Sequence, residues 1–226
     1  MKQRLVYWLV ARFYNYLASR DRDAKVAFMN YGFAWPESRA DASNSSETDS
    51  EVRRKALYRQ ISGGISPPEW DWSQKDILEV GSGRGGGADY LSVRLEPRTY
   101  QGVDLSSKAV RFCQERYFRP GLRFSQGNAE SLAFADQSFD VVINLESSHC
   151  YPRMPKFLEE VSRVLRPQGY LLLADFRRKE GMTRLQEHLR DSGLVEISRE
   201  DITANVLAAL RLDGAANLAL VQQYIP

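Results

Sequence analysis

The strongest constraint on how this chain folds is a short glycine run. Residues 81–87 read Gly-Ser-Gly-Arg-Gly-Gly-Gly, directly after the apolar stretch Lys75–Val80. Each glycine inside a helix or strand costs roughly 0.5–1 kcal/mol relative to alanine, so this run is a turn that needs positive φ or close backbone approach. Gly81, Gly83 and Gly86 satisfy G-x-G-x-x-G, and a helix-forming segment follows at about Gly87–Leu95. Strand, glycine turn and helix in succession open a βαβ unit.

The rest of the chain repeats the unit. Thr99–Val103, Leu122–Ser125, Phe139–Leu145 and Tyr170–Phe176 read as strands. Ser107–Tyr117 and Pro155–Leu165 read as helices, and Pro167-Gln168-Gly169 as a turn. This alternation predicts an α/β fold, a Rossmann-like doubly wound and mostly parallel sheet with helices on both faces. Ligands of such sheets bind at the C-terminal strand ends. The core is expected over 75–226, with a helical C-terminal tail. Residues 1–74 are expected as an N-terminal helical segment and loop, serving as a lid or substrate region.

Composition narrows the classes. Hydrophobic residues are 43% and charged residues 27% of 226, enough for one domain with a sizeable core. The 31 basic and 29 acidic side chains leave a net charge of +2, so charge gives no case for a nucleic-acid partner. Cys113 and Cys150 lie in apolar segments without metal-ligand spacing. Neither a disulfide framework nor a metal site is expected, and a reducing cytoplasm is the simplest home. No stretch is long and apolar enough to span a bilayer.

In the N-terminal segment, Leu5, Trp8, Leu9, Phe13, Tyr16 and Leu17 recur at helical spacing. This amphipathic helix either packs on its own domain or makes peripheral contact with a membrane surface. Residues 37–50 are polar and predict a mobile loop, either a passive linker or a lid. A helix capped by Ser50 is expected over Glu51–Ile61.

The glycine loop alone also suits a nicotinamide cofactor. Its surroundings favour a cationic one. Glu79 gives E-x-G-x-G-x-G with Gly81, Gly83 and Gly85; a carboxylate there hinders a pyrophosphate and suits an ammonium. Asp104, before Leu105 at the end of the second strand, is placed to accept from ribose hydroxyls. Asn128, followed by Ala129 and Glu130 after the third strand, offers a donor and an acceptor to adenine. This succession over residues 75–177 resembles the class I S-adenosylmethionine-dependent methyltransferases. The resemblance implies that Gly81 and Gly83 hold the methionine portion, Asp104 the ribose, and Asn128 with Ala129 the adenine. The family more often has aspartate at position 128.

The acceptor side is less explicit. Methyl transfer to a hydroxyl needs a base. His149 lies just beyond the fourth strand, in the segment that begins at Asn144, and Asp175 ends the neighbouring strand, from where it would orient His149. The alternatives are a structural strand cap for His149 and a residue bonded to nearby amides for Asp175. The pair is similar to that of natural-product O-methyltransferases of the rifamycin type. The segments Asn144–Pro152 and Arg163–Arg177 also resemble mycobacterial phthiotriolone methyltransferases. The implied acceptor is a small-molecule, polyketide-like or lipid-like hydroxyl compound. Carbon methylation of a lipid or quinone, and a non-catalytic cofactor-binding protein of the same fold, are the alternatives. Tyr31, in the aromatic segment Asn30–Pro36, reads either as a cover over the cofactor or as core packing. Leu194–Arg199 is expected as a sixth strand; no seventh is evident in the helical sequence after it.

Overall fold

The computed structural model describes residues 27–34, 49–64 and 70–215, together with Arg12 and Leu218. The expected N-terminal amphipathic helix, apart from Arg12, and most of the polar stretch 37–50 lie outside the described residues.

The first described helix, α1, spans Asp49–Gly63. Ser50 does not cap it: the helix begins one residue earlier, and the Ser50 hydroxyl donates to Asp213 Oδ2 at 3.1 Å. The alternating core follows as β1 (Asp76–Val80), α2 (Gly86–Leu95), β2 (Thr99–Asp104), α3 (Ser107–Arg116), β3 (Leu122–Gln126) and β4 (Phe139–Leu145). It continues as α4 (Met154–Val164), β5 (Leu165–Ala174), α5 (Lys179–Asp191) and α6 (Thr203–Leu212).

The five strands form one parallel sheet in the order β3-β2-β1-β4-β5. The order reverses at β1, so the crevice between the ends of β1 and β4 is the natural ligand site. Strand parity assigns the two faces. Ile77, Val141 and Ile143 pack under α1, α2 and α3, with Leu57, Leu91 and Val110. Leu78, Val80 and Val142 pack under α4 and α5, with Phe157, Val161 and Leu185. Glu79 shares the face of Ile77, which turns a carboxylate into an otherwise apolar layer.

The expected turn at Pro167-Gln168-Gly169 is present as a distortion within β5. Gln168 takes φ +64, and the register against β4 shifts between Phe139 and Val141. Leu194–Arg199 is not a strand. A strand persists only in a ladder, no described residue pairs with this segment, and its Val195 and Ile197 are exposed. α6 is tied to α1 by Asp213, a buried carboxylate that accepts from Arg53 Nε at 2.8 Å. No described helix is long and apolar enough to cross a membrane.

Candidate active site

The glycine loop closes β1 through three glycines in the left-handed region, Gly81 at φ +81, Gly83 at +53 and Gly85 at +75. Their reasons differ. A Cβ on Gly81 would lie 1.9 Å from Ser147 Oγ, so Gly81 is glycine to admit the turn after β4. At Gly85 the space is filled by Cys113, Phe124 and Tyr117, and at Gly87 by the Tyr58 ring. At Gly83 the contact is Met29 Sδ at 3.2 Å, the end of a flexible side chain. Much of the glycine content therefore serves the packing of neighbouring elements onto the loop.

Above the loop lies a cleft with an empty volume of about 900 Å³, part of it open to solvent. Of the residues read from sequence, Gly81, Gly83, Asp104, Leu105, Asn128 and Ala129 line it. Asp104 is fixed from two sides, its Oδ2 accepting from Gly83 N at 2.9 Å and its Oδ1 from Ser106 N at 2.8 Å. Burial raises its pKa against those two hydrogen bonds. Asn128 Oδ1 accepts from Glu130 N at 2.9 Å, which fixes the amide at the cleft wall.

Five other residues named from sequence for the cofactor are not among those lining the cleft, each for a physical reason. Glu79 lies one layer behind the loop, accepting from Tyr58 Oη at 2.8 Å and Tyr100 Oη at 2.9 Å. Burial pushes its pKa up to about 7, against those hydrogen bonds. Gly85 is covered by the side chains above. Glu130 is buried in an ion pair with Arg153 at 2.7 Å, at the start of α4. Asn144 is fully buried and donates through Nδ2 to Val80 O at 2.8 Å and Tyr151 Oη at 3.0 Å, clamping β1 to the turn after β4. Tyr31 lies at the rim: its backbone N–H donates to Glu146 Oε2 at 3.0 Å and its ring meets Phe176 at 5.2 Å.

The strap that covers the loop is Ala27–Asn30, which meets the aromatic segment singled out from sequence at Asn30. Gly86 N donates to Ala27 O, and Arg54 donates to Phe28 O at 2.5 Å. Tyr58, Glu146, Ser147, Cys150 and Tyr151 complete the wall. Nothing local marks Tyr58 for this place; it arrives on α1 because Glu79 needs a donor in the apolar layer.

His149 and Asp175 meet beside the cleft. His149 Nδ1 lies 2.8 Å from Asp175 Oδ1. Asp175 also accepts from His149 N at 2.8 Å, Phe176 N at 2.8 Å and Ser148 Oγ at 2.6 Å. Both expectations for Asp175, amide partner and imidazole partner, describe the same carboxylate. Burial works against its charge, yet the His149 and Ser148 hydrogen bonds hold its pKa low. Burial likewise opposes the imidazolium, but the Asp175 and Cys150 hydrogen bonds raise the His149 pKa to about 9. Glu146, at φ +46, is pushed up to about 7 by burial and, more weakly, by Asp175.

Comparison with known proteins places this geometry. Residues 78–173 match the family model of a methyltransferase domain. The chain is 45% identical over 154 residues to a phthiotriol/phenolphthiotriol dimycocerosates methyltransferase of Mycobacterium leprae, covering 68% of this chain and 57% of that one. It is 38% identical over 213 residues to a fatty-acid O-methyltransferase of Mycolicibacterium smegmatis, covering 94% of this chain and 76% of that one. The chain thus spans about three-fifths of the length of its first mycobacterial relatives. Among solved structures, geranyl diphosphate C-methyltransferase of Streptomyces coelicolor shares the fold, with TM-score 0.72 at 17% identity over 97% of this chain and 91% of that one. The parallel sheet, the glycine loop and these relatives agree, and the chain belongs to the class I S-adenosylmethionine-dependent methyltransferases.

Proposed function

We propose that the chain transfers a methyl group from S-adenosylmethionine to a hydroxyl of a lipid-like acceptor, with His149 as the base and Asp175 orienting it. The observation that carries this is the 2.8 Å His149–Asp175 contact at adjacent strand ends, beside a cleft lined by Ser147 and Cys150.

The cleft suits the cofactor. Its described lining includes two carboxylates, Asp104 and Glu146, and neither lysine nor arginine, which favours a cationic ligand over a pyrophosphate. Ser82 Oγ is buried on that wall without a protein partner, and a buried hydroxyl of this kind is normally satisfied by something bound. Each Asp104 oxygen already takes one backbone N–H and can accept another donor from a ribose diol. The Asn128 amide would donate to a ring nitrogen of adenine. When bound, the cofactor supplies an electrophilic sulfonium methyl.

With Nδ1 held by Asp175, the Nε2 atom of His149 is left to take the proton of the acceptor hydroxyl as the new C–O bond forms and the C–S bond breaks. Asp175 keeps its charge and stabilises the imidazolium so made. The strap Ala27–Asn30 shields the reacting centre from water.

A second reading rests on the raised His149 pKa. Below pH about 9 the imidazole is charged and would hold an acceptor carboxylate, as the fatty-acid relative's name suggests. Turnover against pH separates the two. With a hydroxyl acceptor the rate rises as the imidazole loses its proton. With a carboxylate acceptor it falls over the same range. Unchanged turnover in His149→Ala with both acceptors would remove His149 from either role.

A further inference from the structure

Beside His149 the structure holds an aromatic stack that the chemistry described so far does not use. The Phe176 ring lies 4.4 Å from the His149 ring, tilted by 37°, and the Tyr31 ring lies 5.2 Å from Phe176, tilted by 48°. Both aromatic residues stay open to solvent, Tyr31 at 43% and Phe176 at 44% exposure. Core packing therefore does not account for them. Two large rings left in water at a strand end cost apolar hydration that burial elsewhere would recover.

Both are held in place from their backbones. Phe176 N donates to the Asp175 oxygen that also meets His149 Nδ1. Tyr31 N donates to Glu146, a cleft residue. The neighbours of Tyr31 are anchored as well: Gly32 N donates to Asn30 Oδ1 at 2.9 Å and Phe33 N to Arg53 O at 2.8 Å. Their backbones tie both rings to the site, Tyr31 through the cleft residue Glu146 and Phe176 through Asp175, so that an aromatic wall half open to solvent stands beside the candidate base.

We infer that Tyr31 and Phe176 grip the hydrocarbon part of the acceptor and so set its specificity, placing the reactive oxygen at His149. This rests on the lipid-like acceptor proposed above. Rings tend to spend little conformational entropy on binding, and an apolar wall that is open to solvent accepts a chain without fixing its length. Affinity should then grow with chain length, whereas a polar pocket would favour one size.

The test is equilibrium binding, free of turnover. Calorimetry would follow 2-alkanols of increasing chain length on protein saturated with S-adenosylhomocysteine. In the wild type, affinity should rise about threefold per added methylene along the wall. Phe176→Ala and Tyr31→Ala should flatten that rise and weaken the longest alkanol about tenfold, with affinity for S-adenosylhomocysteine unchanged. Phe176→Leu should restore part of the slope. If the alkanols bind the wild type and both alanine variants alike, the wall is not the acceptor site and this inference fails alone. If S-adenosylhomocysteine binds but no alkanol does, the lipid-like acceptor itself is wrong. A Phe176→Ala variant that keeps the chain-length slope and only shifts the pH profile would show that the ring serves His149 alone, and would also overturn the inference.

Discussion

Gly81→Ala is the most informative single change, because its cost can be worked from the structure. A Cβ at this position would lie 1.9 Å from Ser147 Oγ, 2.5 Å from Ser147 Cβ and 3.0 Å from Tyr151 Oη. Carbon and oxygen do not approach so closely, so Ser147 would have to move by more than about 1 Å. That motion breaks the Ser147–Tyr151 hydroxyl contact at 2.7 Å and displaces the turn that carries His149 two residues later. Overpacking of this kind costs about 1–3 kcal/mol, and alanine at φ +81 adds about 1–2 kcal/mol. The expected total is about 2–5 kcal/mol, or a fall in Tm of about 4–20 °C for a domain of this size. Thermal unfolding measures it. The double variant Gly81→Ala/Ser147→Gly removes both clashing atoms, so it should recover the packing share and retain only the backbone share. A Gly81→Ala variant as stable as the wild type, or a double variant no better than the single, would contradict the steric assignment.

Three further predictions concern charge. Asp175→Asn removes the anion that supports the imidazolium, so the His149 ionisation should fall from about 9 toward or below its usual 6.5, moving the rising limb of the hydroxyl-acceptor rate profile to lower pH; an unmoved limb would show that another group titrates. Glu79, near 7 in the fold against an ordinary 4.5, contributes no penalty below pH about 4.5 and destabilises increasingly as pH rises through about 7. Glu79→Gln should therefore match the wild type in acid and exceed it above neutrality, as read by Tm against pH; the reverse order would show a net favourable charge. Asp104→Ala should weaken S-adenosylhomocysteine binding about tenfold or more in calorimetry, the usual worth of hydrogen bonds to a charged acceptor, and equal affinity would place the ribose elsewhere.

The βαβ core was legible because strand runs and glycine turns carry their own local physics. The sheet and four of its helices, α1 to α4, follow the sequence pattern within a few residues. That Asp104 and Asn128 line the cleft was legible for the same reason: strand ends in such sheets border the ligand crevice. Glu79 was named for the right loop and the wrong surface, because its face depends on strand parity and its partners Tyr58 and Tyr100 lie 21 residues away on either side. Glu130 and Asn144 stand beside the site in sequence, but their ion-pair and clamping partners, Arg153 and Tyr151, become visible only once α4 is docked. Leu194–Arg199 shows the limit of alternation as a signal: the pattern suits a strand, but a strand also needs a neighbour.

The central claim is that one cleft holds the cofactor and presents its methyl toward His149. A crystal structure with S-adenosylhomocysteine bound tests this most directly. It should place the adenine by Asn128, the ribose by Asp104, and the thioether sulfur between the Gly81–Gly83 turn and His149, with its vacated methyl direction facing the imidazole and the Tyr31–Phe176 wall. A ligand bound in that cleft with the sulfur turned away from His149, or bound at another place, would contradict it.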